Sequence, residues 1–177
     1  MSARPRSLDE PREPLRPHAA GRSVGRERFH TSVMPSLTLR RWFNATPARV
    51  FAAWTDPRKL VHWWGPGAAE DMTVVDLDVR VGGAFHVGFA FQGQRHDVRG
   101  TYLEVVPDER LVFSWVWQSA AERVSRVTVK TRADGDGCML TLVHEQLADE
   151  ASRLGHTRGW TASLNKLERL FVRENAP

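Results

Sequence analysis

One cysteine, Cys138, is all the sequence holds. That excludes an internal disulfide framework and a thiolate metal cluster, and it fits a reducing compartment. No stretch approaches the roughly 18 uninterrupted apolar residues of a membrane-crossing helix, so no membrane span is expected. Glycine-rich phosphate loops of the Gly-x-Gly-x-x-Gly or Gly-x-x-x-x-Gly-Lys-Ser/Thr type are missing, as is a Gly-x-Ser-x-Gly nucleophile elbow. Nucleotide chemistry and acyl transfer through a serine elbow are left without support. An apolar leader of the secretory kind is also missing, and a cytoplasmic location is expected.

What is present is 177 residues, 41% apolar and 26% charged, which fits one globular domain. The net charge of +4 invites a nucleic-acid reading, but the charge is unevenly placed. Residues 1–34 hold seven arginines against four acids, and the remainder of the chain carries 18 basic against 17 acidic groups. A nearly neutral, interspersed surface does not make a phosphate-tracking stripe, so no nucleic-acid partner is expected. Residues 1–34 are also rich in proline and without periodicity, which predicts a disordered tail. Met34 opens the first patterned segment and reads as the natural start, the alternative being that the tail is a basic interaction arm.

From residue 35 to 174 the pattern is that of one domain. Leu37, Leu39 and Phe43 alternate as a strand, and Thr46-Pro47 then reads as an N-cap with proline at the first helical position. Val50, Phe51 and Trp54 make a short amphipathic helix. Thr55-Asp56-Pro57 restarts it, and Gly65-Pro66-Gly67 ends the second short helix. Period-two segments follow: Val75, Leu77, Val79 and Val81; Phe85, Val87, Phe89 and Phe91; Leu111, Phe113, Trp115 and Trp117; Val127 and Val129; and Cys138 to Glu145. Gln92-Gly93-Gln94 and Asp134-Gly135-Asp136-Gly137 are hairpin signals. These features predict an α+β fold, an antiparallel meander with a single long helix to cover it. In that helix Trp160, Leu164, Leu167 and Phe171 share one face, and Gly155, Gly159 and Ser163 form a small-residue ridge beside it. Each glycine costs the helix about 1 kcal/mol relative to alanine, to be offset either by close helix-to-sheet packing or by a gap left for a guest.

Ala48–Pro57, Trp63-Trp64-Gly65-Pro66, Gly100–Val105 with Glu109–Trp115, and Gly155-His156 with Gly159-Trp160 occur in an order that resembles one family. It is the bacterial domains similar to the C-terminal domain of the activator of Hsp90 ATPase, a START-like (SRPBCC) branch. The resemblance implies a helix-grip fold. In it a curved antiparallel sheet wraps a long C-terminal helix, with two short helices between strands 1 and 2 and a cavity between helix and sheet. In the two-domain eukaryotic activator a separate N-terminal domain contributes much of the chaperone contact. Here an Arg/Pro segment stands in that place, so stimulation of Hsp90 ATPase turnover is not expected.

The cavity candidates are Phe85, Val87, Phe89, Trp115, Trp117, His156, Gly159, Trp160 and Leu164, on the inner strand face and the inner helix face. Trp42, Trp54 and Trp63 read as core. His96-Asp97 and His144-Glu145 are strand neighbours whose side chains point to opposite faces, so neither forms an acid-base pair. His86 reads as outward, which leaves a metal site of His86, His144 and His156 without support. No metal or other cofactor is expected. The leading expectation is a non-catalytic module for a small apolar or amphipathic ligand. A protein-interaction or chaperone-cofactor module, with a protein partner or a homodimer, is the alternative, and a cyclase- or hydratase-type enzyme is a third. A chain beginning at Met34 should melt at the same temperature as the full chain; a midpoint lower by several degrees would show that the tail supports the fold.

Overall fold

The computed structural model describes residues 33–176. The disordered tail expected for residues 1–34 thus falls almost wholly outside the described residues. Seven strands form one antiparallel sheet in the order β1-β7-β6-β5-β4-β3-β2. They are β1 (Leu37–Phe43), β2 (Met72–Leu77), β3 (Ala84–Phe91), β4 (Gln94–Val106), β5 (Arg110–Trp117), β6 (Ser125–Asp134) and β7 (Gly137–Glu145). Strands β2 to β7 run as a meander, while β1 returns to pair with β7, so the first two strands occupy opposite edges.

The chain between β1 and β2 therefore has to cross the sheet. It does so through α1 (Pro47–Thr55) and α2 (Pro57–Leu60). Thr46 caps α1 by accepting from Arg49 N, and Asp56 caps α2 by accepting from Arg58 N. Both helices start on proline, whose missing N–H is no loss at a first helical turn. The second helix is shorter than its sequence pattern implied, because Val61 to Trp64 continue as turns. Trp63 is nevertheless fully buried, with its indole N–H donating to the Ala53 carbonyl at 2.9 Å.

The long helix α3 (Glu150–Glu174) lies across the inner face of the sheet. Asp149 caps it by accepting from Ser152 N at 2.7 Å. Trp160, Leu164, Leu167 and Phe171 are all buried, as their shared face requires. Arg49 ties the two helical layers together, bonding Glu174 and Asn175 and lying over the Phe171 ring.

Two further details differ from the sequence reading. Trp42 is 43% exposed, because β1 turns it to the outer face, where its N–H donates to the Asp134 carbonyl at 3.1 Å. Val81 is 63% exposed, since β2 ends at Leu77 and Asp78 to Gly83 form a turn. The irregular pattern of β4 has a local cause: its register against β5 shifts between Tyr102 and Glu104, a bulge that leaves Leu103 half exposed.

Gly100 is needed for packing. A Cβ there would overlap the Ser114 carbonyl oxygen, which is part of the β5 backbone, and the buried Phe85 ring. Gly100→Ala should therefore lower stability by about 1 to 3 kcal/mol, read as a lower denaturant midpoint at unchanged slope; a variant as stable as the parent would show that the sheet yields there.

Candidate functional site

Large indoles prop α3 away from the sheet at its N-terminal half. Trp64 stacks on Trp115 at 5.6 Å between ring centroids, and Trp160 meets Trp115 at 5.1 Å and Trp54 at 5.6 Å. Beside these rings a cavity of about 300 Å³ remains. The sheet contributes Phe89, Trp115 and Trp117, and the loop after α2 contributes Trp64, Gly65 and Pro66. The helix supplies Ser152, Gly155, His156, Gly159, Trp160 and Ser163. Of these, Pro66, Gly155 and Gly159 are exposed and form the rim.

The two glycines answer the question their helix cost poses. An added Cβ at Gly155 or Gly159 would meet nothing within 4 Å. The close-packing reading fails for both glycines, because neither has a neighbour where a side chain would stand, whereas Ser163, further along the ridge, is buried. The opposite wall is held by Lys166, whose ammonium donates to the Trp64 carbonyl at 3.2 Å and the Gly67 carbonyl at 2.5 Å. Burial lowers the Lys166 pKa, an effect reinforced by nearby Arg169. Gly65 adopts φ +72, a conformation that strains any residue with a Cβ.

Two histidines meet behind the cavity, with ring centroids 4.6 Å apart. His144 is fully buried. Its Nδ1 accepts from the Trp160 indole N–H at 3.1 Å, and an indole can only donate, so the imidazole proton sits on Nε2. That N–H donates to Ser125 Oγ at 2.8 Å, and the Ser125 hydroxyl donates on to the Trp115 carbonyl at 3.3 Å. His156 is arranged the other way round. Its Nε2 accepts from the Trp117 indole N–H at 3.0 Å, and its Nδ1–H donates to the Ser152 carbonyl at 2.8 Å. Both rings are thus neutral and their acceptor nitrogens are occupied. Burial, with His156 adding to it, pushes His144 down to about 3, and burial also lowers His156.

Of the nine cavity candidates read from the sequence, Phe89, Trp115, Trp117, His156, Gly159 and Trp160 surround the cavity. Phe85, Val87 and Leu164 share its inner faces but lie in the packed core, away from it. Trp64, Gly65, Pro66, Ser152, Gly155 and Ser163 also line it and are not among the nine; the loop residues stand out in the sequence only as part of a family motif, and Gly155 and Ser163 only as part of the small-residue ridge. His86 faces the outer side of the sheet, where its Nε2 lies 2.7 Å from Asp97 Oδ1, while His96 stacks on Phe89. Arg95 and His86 hold the Asp97 carboxyl down at about 2. Among the described residues no three His, Cys, Asp or Glu side chains are grouped as metal ligands, and no helix is long and apolar enough to cross a membrane.

The buried histidines set an acid limit. As pH falls below about 6.5 the unfolded chain binds a proton at each histidine, while His144 stays neutral in the fold until about 3. Stability is therefore full above that window and is lost as pH falls through it. The loss from His144 should be on the order of 3 kcal/mol by about pH 4. His144→Gln retains an acceptor and a donor but cannot titrate. Urea midpoints measured from neutral to acid pH should fall less steeply in this variant, and equal slopes would exclude His144 as a source.

The fold has counterparts. The family model for "Activator of Hsp90 ATPase homolog 1-like protein" matches residues 44–172. A solved structure of an AHSA1 protein from Silicibacter pomeroyi is 32% identical, covering 80% of this chain and 100% of that one, with a TM-score of 0.70. A protein from Chromobacterium violaceum is also 32% identical, covering 77% and 96%, with a TM-score of 0.68. CalU16 from Micromonospora echinospora is 28% identical, covering 78% and 77%, with a TM-score of 0.60. No curated protein matches the sequence. With the family model spanning most of the described domain, this chain belongs to the activator of Hsp90 ATPase homolog 1-like family.

Proposed function

We propose that this chain is a non-catalytic module that holds a small apolar or amphipathic ligand between α3 and the sheet. The observation that carries this reading is an aromatic-walled cavity of about 300 Å³ whose rim includes two helical glycines that pack against nothing. Such a volume sits at the lower end of small-molecule pockets. Glycines that weaken a helix and touch no neighbour are accounted for if a side chain in their place blocks entry. The two histidines support the non-catalytic part. Each spends its basic nitrogen on an indole N–H, so neither is free to take a proton from a guest.

The environment-sensitive naphthalene dye prodan tests the reading. Its emission should shift to the blue and saturate with one equivalent of protein. Gly159→Leu places an apolar side chain at the rim, where there is open space. That variant should unfold at the same or a higher denaturant concentration, since leucine is the better helix former by up to about 1 kcal/mol, and it should lose the dye. A clearly destabilised variant, together with a parent that binds no dye, would favour a protein-interaction module instead.

A further inference from the structure

A second cavity, of about 310 Å³, lies under the start of α3. It exists because the β5–β6 ladder stops at the pair Trp115 and Ser125, while β5 runs on to Trp117, which pairs only with Val98 of β4. Into that opening face Val124 of the β5–β6 connection and Leu147 and Ala148 of the turn before α3. Glu122 and Arg123 stand at its edge and pair with each other at 3.8 Å, so it carries no net charge.

The two cavities share four lining residues: Trp115, Trp117, Ser152 and His156. The contact that closes the partition is the hydrogen bond from Trp117 Nε1 to His156 Nε2 at 3.0 Å, between two neutral groups that are each only partly buried. Trp117 is the terminal residue of its strand and is laddered on one side alone, and its half-buried ring meets Phe89, Trp115 and His156 with no β6 residue paired beside it.

We infer that the two cavities are chambers of one binding site, divided by the Trp117–His156 pair, and that its ligand is an uncharged, elongated amphiphile. This rests on the ligand-binding reading proposed above. The flat part of the molecule lies among the indoles of the first chamber, where ring faces are the walls. Its chain turns the Trp117 ring aside, leaving His156 Nε2 against methylenes that have no proton to give, and runs into the second chamber. There Val124, Leu147 and Ala148 line the path, and the Glu122–Arg123 pair at its edge offers no net charge to hold a charged end.

Prodan and laurdan test the inference because they share one naphthalene head and differ only in their acyl tail, propionyl against dodecanoyl. Prodan fits the first chamber, and laurdan needs both. The full chain should bind laurdan about tenfold or more tightly than prodan, from the additional methylenes buried. Ala148→Trp fills the second chamber from an exposed position and should bring laurdan down to the affinity of prodan while leaving prodan unchanged. Ala148→Ser adds no bulk and should change neither. Prodan binding with laurdan unaffected by Ala148→Trp would overturn the two-chamber site and leave the proposed function standing. Binding of neither dye by the parent would overturn both.

Discussion

One buried chain of neutral hydrogen bonds, from Trp160 through His144 and Ser125 to the Trp115 carbonyl, fixes how the helix sits on the sheet. Apolar burial is non-directional: Leu164, Leu167 and Phe171 would gain nearly as much from a helix rolled slightly about its axis. The indole N–H does not share that tolerance. A roll that moved Trp160 away would leave a donor and an acceptor buried and unsatisfied, each at a cost of about 1 to 3 kcal/mol. The chain crosses from α3 to β7, β6 and β5, so it holds three central strands and the helix in one arrangement.

The cavity follows from that arrangement. With Trp160 pinned inward, Gly155 and Gly159 come to the rim, and the helix stands off the sheet by the thickness of the indoles between them. Trp64, Trp115 and Trp160 cannot collapse into the space, since each is wedged against other rings. The Trp64–Gly67 loop cannot fold in either, because Lys166 holds two of its carbonyls. A void of this kind is maintained by stiff aromatic walls, where flexible aliphatic ones would relax to fill it.

The pairing of tryptophan with histidine gives the site its chemical character. A histidine beside a cavity is ordinarily a candidate base, yet here each imidazole is used as an acceptor that positions an indole. The opposite tautomers of His144 and His156 are each dictated by the N–H they receive. His144 thereby serves as a fixed, neutral spacer between strand and helix, with the neutral His156 beside it. The cavity they border stays uncharged, which suits the apolar guest proposed for it.

Much of this was legible in the sequence because it depends on local periodicity and on chain ends. The four-residue apolar face of α3, the Thr46-Pro47 and Asp56-Pro57 starts and the outward direction of His86 all follow from spacings of a few residues. The small residues at 155 and 159 were visible too, but not whether they face a close neighbour or open space. That depends on the stand-off between helix and sheet, which is set by rings from Trp64, Trp115 and Trp160, far apart in the chain. The same limit explains Phe85, Val87 and Leu164: alternation places a side chain on the inner face but says nothing of how far along the groove the void begins. Lys166 at the loop carbonyls and the two Trp–His pairs join residues that are at least 16 positions apart. A sequence pattern records which side of its own element a residue occupies. Which partner it meets there is decided only when the elements pack, because that is when buried donors must find acceptors.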